Sequence, residues 1–249
     1  MHNLSYPTVA LERLHNLLET QFEYITKASR VLARTIAGGG VVQAFGTGHS
    51  RAVTLELCGR AGGLAAIGML AVKDLVMFGG ASPKDILDPT YEREPGIAAR
   101  VYELASPQKG DAFIVVSNSG INPAVVEMAR IVKENHHPLI AITSRRHTVQ
   151  VPTRDTSGSR LADLADIVID NGAPAGDAAV ELPNGLRTGG ISNLTGICIV
   201  HMLVECTSRE LIAQDEVVPV FVSANLPEGD AHNESLFRAY RTRVRPIEP

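Results

Sequence analysis

The chain has 249 residues, of which 45% are apolar and 20% charged, an ordinary composition for a globular protein with a well-buried core. Its net charge of −4 and pI near 6.1 argue against a broad basic face, so we expect neither nucleic acid nor a membrane as a partner. The three cysteines are odd in number and lack C-x-x-C spacing, which excludes a disulfide scaffold and a zinc cluster of that kind.

The N-terminal sequence has neither the charged nor the apolar region of a signal peptide. No apolar run is long enough to span a bilayer. Together with unpaired cysteines, these features predict a cytoplasmic protein.

The first part of the chain predicts a long helix followed by alternating strands and helices. Apolar residues recur at a helical period between Pro7 and Ala37, and three glycines then end that helix. The predicted elements that follow are a strand at 41–45, a helix at 51–60, a strand at 64–70, an irregular stretch at 77–95 and a helix at 97–105.

The second half of the chain repeats this rhythm. Its predicted elements are a strand at 112–116, a helix at 124–135, a strand at 139–143, a polar segment at 144–160, a strand at 167–169, an irregular stretch at 172–188, a helix at 191–212, a strand at 218–222 and a helix at 234–241. Strands rich in Val and Ile without alternation, separated by helices, predict an α/β fold with a covered parallel sheet.

No stretch of the sequence has the composition of a linker between domains. We therefore expect one domain over residues 1–249, with an N-terminal helix at 8–37, an α/β core at 41–213 and a C-terminal extension at 214–249.

Two short polar runs each follow a predicted strand. They are Gly46-Thr47-Gly48-His49-Ser50 and Ser117-Asn118-Ser119-Gly120. A strand that leads into such a loop and then into a helix leaves backbone N–H groups and hydroxyls pointing outward, which is how proteins bind anions. Thr143-Ser144 and Asp170-Asn171-Gly172 follow two other strands, at the edge where parallel sheets bind ligands. The sequence predicts an anion site there, although plain strand-to-helix turns remain the alternative.

The first run also resembles part of a dinucleotide-binding fingerprint, but the match fails. Arg51 stands where the third glycine is needed, and no acidic strand end follows about 20 residues later. The G-K-[ST] sequence of a P-loop is absent. We therefore expect no nucleotide cofactor.

The chain resembles the SIS (sugar isomerase) family of phosphosugar isomerases and phosphosugar-binding domains over roughly residues 28–211. The two polar runs, the run Glu56-Leu57-x-Gly59-Arg60 and the late helix around His201 carry the resemblance. It implies a three-layer α/β/α sandwich with a five-stranded parallel sheet, a sugar phosphate as ligand, and a homodimer or homotetramer. Its phosphate loop would be Ser117–Gly120, assisted by the first polar run.

The resemblance also implies a set of binding residues. By it Ser50, Ser117, Asn118, Ser119 and Asn122 become phosphate ligands, with Asn122 standing where many members carry a Thr. The remaining predicted substrate-binding residues at the strand ends are Gly48, His49, Thr143 and Ser144.

Glu56 is the candidate catalytic base. Phosphoheptose isomerases of the SIS family carry a catalytic Glu directly before L-x-G-R, although the segment from the glycine loop is about one turn shorter here. Aldose–ketose isomerisation moves a proton between adjacent carbons and needs a carboxylate or His base within reach. A surface Glu, or one paired with Arg60, is the alternative.

His201 lies in a strongly apolar helix, where a lone His is ordinarily a core residue. The same isomerases place a catalytic His in a matching late helix, which would make His201 the general acid or ring-opening group opposite Glu56. Some of those enzymes bind zinc through a His one turn before the Glu. Ala52 occupies that place, so we expect no such metal site.

The tail at 223–233, together with segment 161–176, resembles an uncharacterised SIS subgroup rather than phosphoheptose isomerase proper. In the tail, His232 and Asn233 either reach the site of a neighbouring subunit, since SIS sites are often built across dimers, or form a solvated turn. The basic part of segment 144–160 either closes over a phosphate or is a solvated loop.

Three functions stay open at this point. The first is a cofactor-free phosphosugar isomerase. The second is a lyase like the N-acetylmuramic acid 6-phosphate etherases, in which a Glu also abstracts the C2 proton. The third is a sensor that binds a phosphosugar without chemistry.

Overall fold

The computed structural model describes residues 4–88 and 90–247; the predicted domain also includes residues 1–3, 89 and 248–249, which lie outside the described residues. The helices are α1 (Tyr6–Ala37), α2 (Arg51–Leu57), α3 (Asp74–Met77), α4 (Pro83–Ile86), α5 (Ile97–Ala105), α6 (Pro123–Glu134), α7 (Arg145–Gln150), α8 (Leu161–Leu164), α9 (Ser192–Ala213) and α10 (Gly229–Tyr240). The strands are β1 (Val42–Gly46), β2 (Ile67–Leu70), β3 (Ala112–Val116), β4 (Leu139–Thr143), β5 (Ile167–Asp170), β6 (Ala178–Glu181) and β7 (Arg187–Gly190). Among the helices of this part of the chain, none is both long and apolar enough to cross a membrane.

Five parallel strands form the central sheet, in the order β2-β1-β3-β4-β5. Every residue of β1, β2, β3 and β4 is buried. A strand buried on both faces needs apolar side chains at successive positions, which explains why these strands show no alternation. The predicted five-stranded parallel sheet is confirmed.

Helices cover both faces of the sheet and produce three layers. On one face α1, α2 and α9 pack on the sheet, where Leu32 and Leu203 share an apolar cluster with Ala44. On the other face α5 and α6 pack, and Val101 shares a second cluster with Phe45. Ala44 and Phe45 are neighbours on β1 and point to opposite faces, as successive strand residues do. The predicted α/β/α sandwich is confirmed.

The strand order reverses between β1 and β3, because the chain leaves β1 for β2 on one side and returns to β3 on the other. Gly46 pairs with Val116, and these are the last residues of the two strands. The two polar loops therefore leave the sheet side by side and at the same level. Open α/β sheets bind ligands at this kind of position.

The irregular stretch predicted at 172–188 is wrong. β6 and β7 form an antiparallel hairpin there, outside the main sheet. Most residues of this hairpin are exposed or half-buried, so its sequence lacks the alternating apolar pattern that would have predicted strands. The polar segment predicted at 144–160 likewise contains a helix, α7.

Two predicted boundaries are also wrong. The strand predicted at 218–222 is a single bridge between Leu64 and Val220, because Pro219 has no N–H to donate to a ladder. The helix predicted at 51–60 ends at Leu57, since Cys58 is extended and Gly59 has a φ of +61°.

The C-terminal segment packs beside β2, the edge strand. Its backbone bonds to the loop before that strand, with Phe221 N donating to Gly63 O at 2.9 Å. Further along, Arg243 Nη2 lies 2.6 Å from Oδ1 of Asp111, a fully buried carboxylate at the start of β3. This ion pair joins residues 132 positions apart, so the end of the described chain is tied to the middle of the fold.

Candidate functional site

The first polar loop turns sharply from β1 into α2. Gly48 has a φ of +55°, a conformation that favours glycine, and residues Gly48–Ser50 form one 3₁₀ turn. Gly48 and His49 are exposed and Ser50 is half-buried. The loop therefore presents Ser50 and its neighbours to solvent at the carboxyl edge of the sheet.

The second loop is held by its own first residue. Ser117 is buried, and its Oγ accepts a hydrogen bond from Gly120 N at 3.1 Å. Gly120 has a φ of +65°, and a Cβ there would lie 3.1 Å from Oγ1 of Thr143. Both the dihedral angle and the space require glycine, so this turn has one conformation. Ser119 is half-buried at its centre.

Helix α6 begins directly after the second loop, with Asn122 as its N-cap residue and Pro123 in its first turn. Asn122 does not cap the helix with its own side chain. Its Oδ1 instead accepts a hydrogen bond from Arg154 Nη1 at 3.4 Å. The positive end of the α6 dipole and an arginine thus lie beside the loop, and both favour a bound anion.

Asn118 is bonded by Asn171, in the loop after β5, and by His147, on α7. Its Oδ1 accepts from Asn171 Nδ2 at 3.1 Å, and its Nδ2 lies 3.2 Å from His147 Nδ1. Burial lowers the pKa of His147, and nearby Asp177 offsets this only in part. A neutral imidazole can accept a hydrogen bond from the Asn118 amide at Nδ1. Asn118 therefore joins its own loop to α7 and to the loop after β5 at the edge of the sheet.

Thr143 and Ser144, both predicted to bind the substrate, are fully buried. Thr143 Oγ1 donates to Asn118 O at 3.3 Å. Ser144 Oγ donates to Ala173 O at 2.7 Å and accepts from His147 N, which caps α7. The structure places these hydroxyls inside the protein, beneath the loops, and their part in ligand binding stays a prediction.

Glu56 and His201 lie in contact, although 145 residues separate them in the chain. His201 Nε2 is 3.0 Å from Glu56 Oε1, and Arg60 forms an ion pair with the same carboxylate. The side chains of Glu56 and His201 are 29% and 48% exposed. His201 is therefore not a core histidine. Glu56 contacts both His201, its predicted catalytic partner, and Arg60, the ion-pair partner of the alternative interpretation.

The Glu56–His201 pair lies away from the loops in the helical layer. Glu56 follows Ser50 by six residues, so the 1.5 Å rise per residue places it about 9 Å further along α2. His201 lies on α9, which packs against α2. The structure thus brings the predicted anion-binding residues together at the sheet edge and the two predicted catalytic residues together on α2 and α9.

His232 and Asn233 lie on α10, where their side chains bond within their own chain. His232 Nε2 lies 2.9 Å from Val220 O, and Asn233 bonds to both the N and the O of Val222. A contribution of this pair to a neighbouring subunit stays a prediction. Within the described residues, no group of three or more His, Cys, Asp or Glu side chains is placed to hold a metal ion.

The sequence placed Asn171 at the ligand-binding edge and His147 in the basic segment 144–160, but it assigned neither of them a specific role. Both follow strands of the central sheet, β4 and β5, and so reach the same edge as the polar loops. Their position after these strands was the sequence feature that could have identified them as site residues. Their partner Asn118 was predictable as a site residue, but the bonds between the three were not.

The sequence profile of the SIS domain family matches residues 5–144, which is more than half of the chain and includes both polar loops. The chain therefore belongs to the SIS domain family. It is similar along almost its whole length to UPF0309 proteins. That of Listeria monocytogenes serotype 4b is 34% identical over 241 residues, with 96% of each chain covered. That of Halalkalibacterium halodurans is 32% identical over 228 residues, covering 91% of this chain and 93% of the relative.

The fold is also similar to a phosphoheptose isomerase from Neisseria gonorrhoeae. The TM-score is 0.56, and the match covers 82% of this chain and 96% of that chain. Since the two sequences are 16% identical, this likeness concerns the fold alone. The predicted SIS resemblance is confirmed.

Proposed function

We propose that this protein is a phosphosugar isomerase that interconverts an aldose and a ketose phosphate through an enediolate. The observation that carries the proposal is the 3.0 Å contact between Glu56 on α2, the helix that follows the first polar loop, and His201 on α9. Membership of the SIS domain family and a carboxyl-edge anion site support the same conclusion.

The phosphate binds at the two loops. Ser50 and Ser119 supply hydroxyls that remain partly exposed, and Ser117 adds a hydroxyl hydrogen while its oxygen accepts from Gly120 N. Backbone N–H groups around Gly48 and His49 and at the start of α6 add further donors. Asn118, Thr143 and Ser144 hold the loops in place from below.

The sugar chain extends from the phosphate toward Glu56 and His201. Glu56 removes the C2 proton of the aldose, and the electron pair of that C–H bond forms the C1=C2 double bond of the enediolate as the C1 carbonyl oxygen gains a proton from His201. His201 then takes the O2 proton and is restored, the carbonyl forms at C2, and Glu56 returns its proton to C1. Every proton is conserved, and no nucleotide cofactor takes part.

Arg60 positions the base. It lies four residues after Glu56, beyond the end of α2, and pairs with the carboxylate oxygen that also contacts His201. A carboxylate held on two sides keeps one orientation, which a proton transfer over hydrogen-bond distance requires.

We also propose that a second copy of the chain covers the exposed pair, in a homodimer or homotetramer. Large apolar side chains are exposed at seven-residue spacing at Leu4, Leu11 and Leu18, the last two on α1, and Phe22 extends the stripe. Such a stripe is typical of a helix that packs on another helix. α1 also packs on α9, the helix that carries His201.

The test is proton exchange in D₂O with a panel of sugar phosphates. We expect deuterium at C2 with wild type and none with Glu56→Gln. Glu205→Gln is the matched control, because Glu205 is an exposed carboxylate on α9, paired only with Arg209 among the described residues, and should exchange normally. Elimination of a substituent would replace the isomerase by the etherase-like lyase. Binding without exchange across the panel would favour the sensor and contradict the proposal.

A further inference from the structure

A polar cavity of about 290 Å³ lies between the C-terminal segment and the sheet. The side chains that line it and matter here are Gln43, Ser106, Arg241, Arg243 and Arg245. Gln43 lies on β1 two residues before Phe45, so it faces the layer of α5 and α6. Glu56 and His201 lie in the opposite layer, and this cavity is therefore separate from the proposed active site.

Gln43 is a buried polar group that the fold itself does not use. Gln43 is 3% exposed, and its side-chain amide has no hydrogen-bond partner in residues 4–88 and 90–247. It lies across Gly68 of β2, where a Cβ would meet its Oε1 at 3.4 Å. Because Gln43 lines the cavity, its amide is available to bond to a ligand there.

Arg245 gives a second, independent sign of a ligand. Its Nη2 bonds to Leu104 O and its guanidinium lies 5.2 Å from the centre of the Phe78 ring. Its Nη1 is buried and has no acceptor among the described residues. The guanidinium is thus held in place on one side while a donor on the other side is unused.

The charges around the cavity are not balanced. Arg243 is neutralised by the buried Asp111, at 2.6 Å. Arg241 is exposed and has no ion pair in the described part of the chain, and no acidic residue is among the described residues that line the cavity. Arg241 and Arg245 therefore leave two positive charges, the charge that a phosphate dianion would balance. A single carboxylate would balance only half of it.

We infer that this cavity binds a phosphate group, free or carried by a small metabolite, as a second anion site. The forks of Arg241 and Arg245 bind its oxygens, and the amide of Gln43 donates the remaining hydrogen bond. The ligand links the C-terminal segment to β1. Its binding therefore stabilises the attachment of residues 241–245 to the sheet.

Equilibrium dialysis of the full chain with inorganic phosphate tests the inference. Arg241→Gln and Gln43→Leu should each remove one phosphate per chain, or weaken one site at least about tenfold. Arg238→Gln is the matched control on α10, since Arg238 is exposed and pairs with Glu234 at 3.2 Å. It should bind as the wild type does. Without phosphate, Gln43→Leu should be no less stable than wild type, because the amide gives up no bond.

The measured quantity is the difference in bound phosphate per chain between each variant and the wild type. If the Ser117–Gly120 loop fails to bind phosphate, the wild-type total falls by one, but the loss caused by Arg241→Gln remains. Equal phosphate binding by wild type and both cavity variants would overturn the inference. So would Arg241-dependent binding of acetate in the absence of phosphate binding.

Discussion

The loops at the sheet edge and the Glu56–His201 pair differ in how firmly the protein holds them. Asn118 bonds to Ser144 and His147, which follow β4, and to Asn171, which follows β5, and Gly120 is confined by both its φ and its neighbours. Glu56 and His201 are partly exposed and are held by each other and by Arg60. We therefore propose that the rigid loops bind the phosphate at one position, and that the exposed pair acquires its final environment when substrate or a second subunit covers it.

The largest expected effect is on catalysis, from a substitution in the loosely held Glu56–His201 pair. His201→Gln removes the proton donor, and kcat/KM for a sugar phosphate that exchanges should fall about 10²- to 10⁴-fold. The free energy of unfolding should change by less than about 1 kcal/mol, because the pair is partly exposed. Enzyme kinetics and denaturant unfolding on the same samples measure both. A large loss of stability with unchanged kcat/KM would assign His201 a structural role.

A substitution in the rigid loop Ser117–Gly120 should lower the free energy of unfolding. Gly120→Ala introduces a Cβ 3.1 Å from Thr143 at a positive φ, and should cost about 2–4 kcal/mol. Gly176→Ala is the control, since Gly176 has a φ of +76° with no atom within 4 Å of the added Cβ. It should cost only about 1–2 kcal/mol. Equal losses in denaturant unfolding would mean that the space at Gly120 does not matter.

The smallest expected effect is on the pH dependence of stability, and it comes from His147 in the rigid region. Burial lowers the pKa of His147, so the unfolded chain binds this proton more readily than the folded one. Stability should therefore fall as the pH drops below the ordinary His pKa, when a protonated Nδ1 meets the Asn118 amide donor. His147→Gln should lose less stability than wild type between pH 7.5 and 5.5. An identical pH dependence of unfolding would contradict this.

The sheet and its loops were predictable from sequence because they depend on local patterns. Runs such as Ala112–Val116 are apolar at every position, and the residues directly after them are small and polar. Parallel strand pairing then brings those residues to one edge without further information.

The rest depended on contacts distant in the chain. The bond between Asn118 and His147 needs the exact turn of α7, and the hairpin at β6 and β7 has no core-facing stripe to reveal it. The pairing of Arg243 with Asp111 crosses 132 positions. No periodicity in a single sequence encodes such partners, which follow from the assembled fold.

The C-terminal segment also governs how the protein behaves toward other copies of itself. β2 is an edge strand of buried residues, with Val244 packed next to Gly68. An uncovered apolar edge strand is a template for pairing with another sheet and hence for aggregation. We therefore expect the pairing of Arg243 with Asp111 to limit aggregation as well as to add stability.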